Sequence, residues 1–408
     1  MRLAVCFTNF GPYHLARLRA LAKRLGASGG RLTAYEVASQ EQTYPWRRTR
    51  GDEPFDWITL FPGRTLESLS APECAHALEQ ALDRDRPDVL GVVGYARPES
   101  MASARWGRKR GLPVVLMSES QAVDRPRVWW KEAVKRRRLR LFDSALVGGP
   151  SHREYLEQLG MPGDRISLGY NAVDNAAFAA AARAWRGCDQ GRDGLPRSPY
   201  FLSVCRFAPE KNLPRLIEAF ARYRASARAG SAWDLVLCGD GPAAAVVERA
   251  IAQHGVSECV HRPGFVQVDG LPRWYAGAGG FVLASLSEPW GLVANEAAAS
   301  GLPLLISNRA GCAATLVIEP AGATGACFDP LDVDELTHRL AWLAGLGAHD
   351  RAAMGLRAAE VVASWGPDRF AAGMIEAIDR ALLVRQAPRL RLRKRRVGRP
   401  RSQPEVKP

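Results

Sequence analysis

Short apolar runs recur along this chain, and most are followed by a stretch whose apolar positions repeat every three or four residues. In the first half the runs predict strands at 3–7, 32–37, 57–61, 89–94, 114–117, 145–148 and 166–168. Helical spacing between them predicts helices at 13–25, 72–83, 99–110, 127–142 and 151–159. Strands alternating with helices in this way argue for a parallel sheet covered on both faces. The rhythm stops over 174–199, a stretch rich in Ala, Gly, Arg and Asp with no apolar run, which reads as an interdomain linker. It then restarts, with strands at 201–205, 235–238, 259–261, 280–284, 304–307 and 326–329. The matching helices fall at 213–229, 242–253, 271–275, 292–299, 332–344 and 350–363, and a last amphipathic helix covers 368–384. The pattern predicts an α/β protein of two doubly wound, Rossmann-like domains facing across a cleft. Their bounds are 1–173 for the first and 200–366 for the second, with a closing helix at 367–384 and a tail at 385–408. Ligand sites in such sheets gather at the carboxyl ends of the strands.

A length of 408 residues suits two ordinary domains, and 47% hydrophobic residues suffice for two cores. The net charge of +14 is concentrated: Arg125 to Arg140 holds eight basic residues against one acid, and Arg385 to Pro408 holds ten against one. The rest of the chain is slightly acidic, so the basicity describes one surface and a tail rather than the fold. Eight scattered cysteines, with no CxxC pair, argue against a disulfide framework or a zinc site and suit a reducing cytoplasm. The opening apolar run is too short for a signal peptide, and no run approaches the roughly 20 apolar residues of a membrane span.

The chemistry concentrates after three strands of the second half. Arg206 and Lys211 follow the first, two cations beside a helix start where a diphosphate could sit. Solvated loop charges would look the same at these positions. Gly239-Asp240-Gly241-Pro242 follows the next strand, a tight turn that permits close ligand approach, with Pro242 suited to a first helical position. It lacks the third glycine of a dinucleotide fingerprint. Glu288 and Glu296 stand eight positions apart around Gly291 and Leu292, one in a loop and one on the emerging helix. A carboxylate there can accept two hydrogen bonds from the vicinal hydroxyls of a ribose. An exposed glutamate near a helix start is the plainer alternative for Glu296.

Taken in order, Arg206 and Lys211, then the GxGP turn, then the glutamate pair, the second half resembles the nucleotide-sugar domain of retaining glycosyltransferases of family 4. The resemblance implies the GT-B fold and a nucleotide-diphosphate sugar as donor. It implies that Arg206 and Lys211 hold the diphosphate, Glu296 the ribose and Glu288 the transferred sugar, with the Gly291 and Leu292 backbone near the phosphates. Asn171-Ala172-Val173-Asp174, with Phe178, resembles the family's domain junction, with Ala in place of Gly. Gly311-Cys312-Ala313-Ala314-Thr315 departs from the family, carrying Thr315 where an acid often stands, which leaves the donor sugar open. The resemblance further implies retention of anomeric configuration, with no separate carboxylate nucleophile. Two DxD matches, Asp83-Arg84-Asp85 and Asp332-Val333-Asp334, lie in or beside predicted helices and read as solvated charges, so no metal cofactor is expected.

The acceptor is expected on the first domain, a glycan or a lipid-linked sugar. Gly11 and His14 follow the first strand, and Glu119 follows the strand ending near Met117; a capping or surface role would suit each equally. From Arg125 to Phe142 tryptophans and aliphatic residues interleave with cations. Such a helix either lies on an anionic membrane or turns its apolar face into the core. The tail from Arg385 to Pro408 reads as disordered, with anionic lipid or non-specific nucleic acid as possible partners. The reading is a glycosyltransferase of cell-envelope or exopolysaccharide synthesis, cytoplasmic and peripheral on the inner membrane face. A sugar-nucleotide epimerase of the same fold and a nucleic-acid-binding protein are the alternatives.

Overall fold

The computed structural model describes residues 1–42, 46–47, 50–188, 194–228, 230–318 and 322–397, with side chains described as far as residue 386. The first domain runs β1 (Arg2–Phe7), α1 (Pro12–Gly26), β2 (Arg31–Gln40), β3 (Asp56–Thr65), α2 (Ala71–Asp85), β4 (Val89–Val93), α3 (Pro98–Lys109), β5 (Val114–Ser118), α4 (Trp129–Leu139), β6 (Ser144–Val147), α5 (Pro150–Gln158) and β7 (Ile166–Leu168). Its seven strands lie in the order β3-β2-β1-β4-β5-β6-β7 with every pairing parallel. β5 and β6 are buried along their whole length, as their unbroken apolar runs require of central parallel strands. Helix boundaries follow local chemistry. Ser70 and Glu73 cap α2 reciprocally, and Arg86 ends it in the left-handed conformation at φ 45°.

The second domain continues with α6 (Asn175–Arg186), β8 (Tyr200–Val204), α7 (Leu213–Ser226), β9 (Asp234–Cys238), α8 (Ala244–Gln253), β10 (Val260–Gly264), α9 (Leu271–Gly277), β11 (Gly280–Leu283), α10 (Leu292–Ala299), β12 (Leu304–Ser307), α11 (Ala313–Leu316), β13 (Gly325–Phe328), α12 (Val333–Gly345) and α13 (Ala348–Ala363). Its six strands are ordered β10-β9-β8-β11-β12-β13, again all parallel. α14 (Pro367–Val397) then returns to the first domain. It buries Phe370, Ala371, Met374, Ala377, Ile378 and Ala381, one apolar stripe at three- and four-residue spacing, in the first domain's core. Phe370, Met374 and Ile378 alone contribute roughly 5–9 kcal/mol as an upper bound from area burial. The domains are therefore tied at two places in the chain.

Three expectations need correction. The stretch 174–199 is not a plain linker, because 175–186 forms α6. Asp174 caps that helix by accepting the Ala177 N–H at 3.0 Å, and Phe178 packs edge-on against Tyr275 at 6.1 Å in the second core. Alanine carries this helix by propensity, so no large apolar stripe announced it. Pro242 is not the first helical residue, since a turn separates it from α8, which starts at Ala244. The closing helix passes 384 and its backbone continues to Val397, so the tail expected to be disordered is helical in its first half. Residues 398–408 lie outside the described residues.

Candidate active site

The strand order of the second sheet reverses between β8 and β11, and a crevice opens at such a switch point. Three loops line it. Arg206 stands two residues beyond the end of β8, the Gly239–Pro242 turn follows β9, and the Glu288 loop follows β11. The first two loops run side by side: Phe207 N–H donates to the Asp240 carbonyl at 2.8 Å, and Ala243 N–H to the Phe207 carbonyl at 2.9 Å. Glycine is needed for that approach. A Cβ on Gly239, at φ 148°, would stand 1.8 Å from the Cys205 carbonyl oxygen, and one on Gly241, at φ 155°, 2.5 Å from that of Phe207. The Arg206 stem lies 3.1 Å from the same Gly241 position, and among the described residues its guanidinium has no ion-pair partner.

Lys211 ends a short 3₁₀ turn, after which Asn212 takes a left-handed conformation at φ 59° and anchors itself on the Pro330 carbonyl at 2.7 Å. Its ammonium meets the Glu288 carboxylate in an ion pair that is largely shielded from water. Ser285 Oγ donates to the same carboxylate oxygen at 3.1 Å. The ammonium and the carboxylate thus neutralise one another. Gly291, at φ 101°, turns the chain into α10, and a Cβ there would sit 3.3 Å from Glu288 Cγ. The Leu292 end of α10 therefore opens beside this pair.

Glu296 is fully buried and is not an exposed helix glutamate. Tyr13 of α1 donates to its Oε1 at 2.5 Å, and Tyr275 of α9 to its Oε2 at 2.7 Å. Burial raises its pKa to about 7, against the two phenol hydrogen bonds that favour the carboxylate.

The first domain also holds the Glu288 loop directly, through residues that the sequence did not single out. His152, buried near the start of α5, accepts the Gly149 N–H on Nδ1 at 3.1 Å and faces the Pro289 carbonyl with Nε2 at 2.7 Å. Those partners place the proton on Nε2, and burial holds the imidazole pKa below its usual value. Gln121 Nε2 donates to the carbonyls of Glu288 and Arg309 at 2.9 and 3.1 Å. Ser287 Oγ donates to the Asp124 carbonyl at 3.2 Å. Trp290 fills the joint, and Cβ atoms on Gly148 and Gly149 would approach its ring to 2.9 and 3.0 Å. The Gly148-Gly149 pair at the end of β6 was the available sequence signal for this close approach.

The acceptor-side candidates separate into distinct contacts. Gly11 precedes α1, and its N–H donates to His14 Nδ1 at 3.0 Å, so His14 closes the helix start while its ring lies edge-on to Phe7 at 4.7 Å. Glu119 accepts from Asn171 Nδ2 at 2.5 Å, at the domain junction. Both DxD segments are engaged locally. Asp83 accepts from Trp106 Nε1 at 3.0 Å, Asp85 meets the Tyr35 hydroxyl, Asp332 caps α12 and Asp334 pairs with Arg222. Among the described residues no group of three or more His, Cys, Asp or Glu could hold a metal ion. A separate cavity of about 680 Å³ opens at the opposite end of the first sheet, where Arg2, Arg31 and Arg50 alternate with Asp52, Asp56 and Asp85.

Two family profiles match in tandem: a "glycosyl transferase 4-like domain" over residues 15–172 and "glycosyl transferases group 1" over residues 192–360. The chain is a group 1 glycosyltransferase of the GT-B fold. Among curated relatives of this glycosyltransferase, sulfoquinovosyl transferase SQD2 of Arabidopsis thaliana is 28% identical over 52% of this chain and 38% of its own length. An MMP alpha-(1->4)-mannosyltransferase of Mycolicibacterium hassiacum is 28% identical over 59% of this chain and 52% of its own length. The matches thus span between a third and about half of these relatives. In fold, the glycosyltransferase superposes on a sucrose-phosphate synthase from Thermosynechococcus elongatus with a TM-score of 0.71 at 20% identity, covering 95% of this chain and 99% of that one. It also superposes on Anabaena HepE, solved in complex with UDP, with a TM-score of 0.67 at 15% identity, covering 97% and 100%.

Proposed function

We propose that this glycosyltransferase moves a sugar, with retention of configuration, from a nucleotide-diphosphate sugar to a glycan or lipid-linked acceptor in cell-envelope or exopolysaccharide synthesis. The observation that carries the reading is the Lys211–Glu288 pair together with Arg206, whose guanidinium has no ion-pair partner among the described residues, at the mouth of strands whose order reverses. As the bond from C1 to the diphosphate oxygen breaks, its electron pair leaves with the phosphate and positive character develops at the sugar. Arg206 and Lys211 stand where the first charge would be met, and Glu288 beside them where a sugar hydroxyl would be held. The acceptor oxygen bonds to C1 on the face the diphosphate leaves, and its proton passes to a phosphate oxygen. No protein carboxylate acts as a nucleophile, and no metal takes part.

The surface around α4 supports a peripheral membrane site. Of that helix only Leu139 is buried, while Trp129, Trp130 and Val134 are exposed, at 83%, 52% and 44%. From the segment 125–142, Leu139 and Phe142 enter the core while the two tryptophans and Val134 stay outside it, which favours the membrane reading for the outer face. The inner side of α4 is also held by Tyr155, which donates to Glu132 at 2.9 Å and lies under Arg127 and Lys135. α4 starts five residues beyond Asp124, whose carbonyl accepts from Ser287 of the Glu288 loop, so the chain runs from the cleft into this exposed helix. Each cation there is worth about 1 kcal/mol at an anionic surface.

The test is a panel of sugar nucleotides offered with lipid-linked and free oligosaccharide acceptors, in the presence of EDTA, with the product anomer read by NMR. A single donor giving a product of the donor's own anomeric configuration is expected. An inverted product, or transfer that needs an added metal ion, overturns the reading.

A further inference from the structure

The Glu296 carboxylate already holds the hydrogen-bond pattern that a vicinal diol would give it, one hydroxyl donor on each oxygen, at 2.5 and 2.7 Å. The two donors differ in kind. Tyr275 is fully buried, belongs to the same domain as Glu296 and packs against Phe178 and Phe281. Tyr13 comes from the opposite domain, on the first turn of α1, and is only partly buried against the second domain's core. Its ring lies edge-on to Trp46 at 6.2 Å, and Trp46 in turn lies 5.1 Å from Phe265, just past β10. The neighbouring Arg47 N–H donates to Gln267 Oε1 at 3.0 Å. A strip of the first domain therefore lies against the second domain beside Glu296, and the Tyr13 phenol is the group from it that reaches the carboxylate.

We infer that Tyr13 occupies the place of a ribose hydroxyl on Glu296, so that a nucleoside diphosphate must displace it to bind, and that Tyr13 thereby sets the affinity and hydroxyl selectivity of the donor site. The inference rests on the reading of Glu296 as the ribose ligand. Tyr13 is a competitor rather than a donor ligand. Without it, the empty site loses a hydrogen bond and the bound site loses nothing. Withdrawing α1 from Glu296 frees Oε1 while Tyr275 keeps Oε2 satisfied, so the carboxylate itself gives up one hydrogen bond and keeps the other.

Titration calorimetry of the full chain with uridine, guanosine and adenosine diphosphates tests this. The probes are used alone and then as the 2′,3′-dideoxy form of whichever binds. Tyr13→Phe keeps the ring and its packing on Trp46 while removing the hydroxyl, and a hydrogen bond to a carboxylate is worth about tenfold in affinity. The expected result is a Kd about tenfold lower than wild type for the ribose form, with no gain for the dideoxy form. Tyr275→Phe, which removes the phenol that stays, gives no such selective gain. An unchanged or raised Kd in Tyr13→Phe, or an equal gain for the dideoxy form, overturns the inference and leaves the donor site standing. If wild type binds none of the three diphosphates, the donor reading and this inference fall together.

Discussion

Replacing Glu296 by glutamine isolates a buried carboxyl that no cation offsets. Its carboxyl is buried, its pKa is raised to about 7, and its partners are two neutral phenols with no cation among them. A folded-state pKa above the unfolded one means that the protonated form is favoured by folding. The contribution is fully present below the unfolded value near 4.5 and is lost as pH rises through about 7. At 1.36 kcal/mol per pKa unit, the swing across that window is about 3 kcal/mol. Glutamine keeps the size and an acceptor but cannot ionise. Thermal unfolding of wild type and Glu296→Gln, recorded from pH 4.5 to 8.5 without ligand, should show the variant gaining on wild type as pH rises, with the gap levelling off above about pH 7. Parallel pH profiles for the two proteins would refute the buried, cation-free account of this carboxylate. In the same variant, nucleoside diphosphate affinity should fall, because a carboxylate is the better acceptor for ribose hydroxyls.

Other substitutions reach other parts of the account. His152→Ala removes the partner of the Pro289 carbonyl and should cost about 1–3 kcal/mol of stability while raising the donor KM, measured by denaturation and steady-state transfer. Because burial lowers the His152 pKa, wild-type stability has a contribution that is present above the usual imidazole value of 6.5 and is lost as pH falls below it; His152→Ala should lack that acidic slope. Gly239→Ala drives a Cβ into the Cys205 carbonyl and should destabilise by about 3 kcal/mol or more, visible as a lowered Tm. Trp129→Ser with Trp130→Ser should weaken binding to vesicles rich in anionic lipid by at least about tenfold, leaving transfer to a soluble acceptor intact, as read by vesicle sedimentation.

The sequence was most legible where period and burial agree. β5, β6, β11 and β12 carry apolar runs, and each is buried and paired with a strand on both sides. α10 was readable to its ends because Gly291 and Ser300 punctuate an alanine-rich run. α6 was missed because alanine and arginine give a helix no strong apolar stripe, and only Phe178 and Ala182 are buried from it. In the site, Lys211 and Glu288 were recognisable as charges at strand ends, but their pairing joins positions far apart in sequence and leaves no local trace. Tyr13, Gln121 and His152 were invisible for a related reason. Each is ordinary within its own helix or loop, and its part in the site comes from the other domain's approach. A polar side chain that acts across a cleft is read only once both faces of the cleft are in place.

The central claim is that a nucleotide diphosphate sits at the ends of β8, β9 and β11. Arg206→Ala tests it most cleanly, since among the described residues this guanidinium has no ion-pair partner and its loss should hardly disturb the fold. Calorimetric titration with the cognate nucleoside diphosphate and with the corresponding nucleoside should show the diphosphate Kd rising by about 10- to 100-fold in the variant, with nucleoside binding unchanged. Equal diphosphate affinity in the two proteins would contradict the placement.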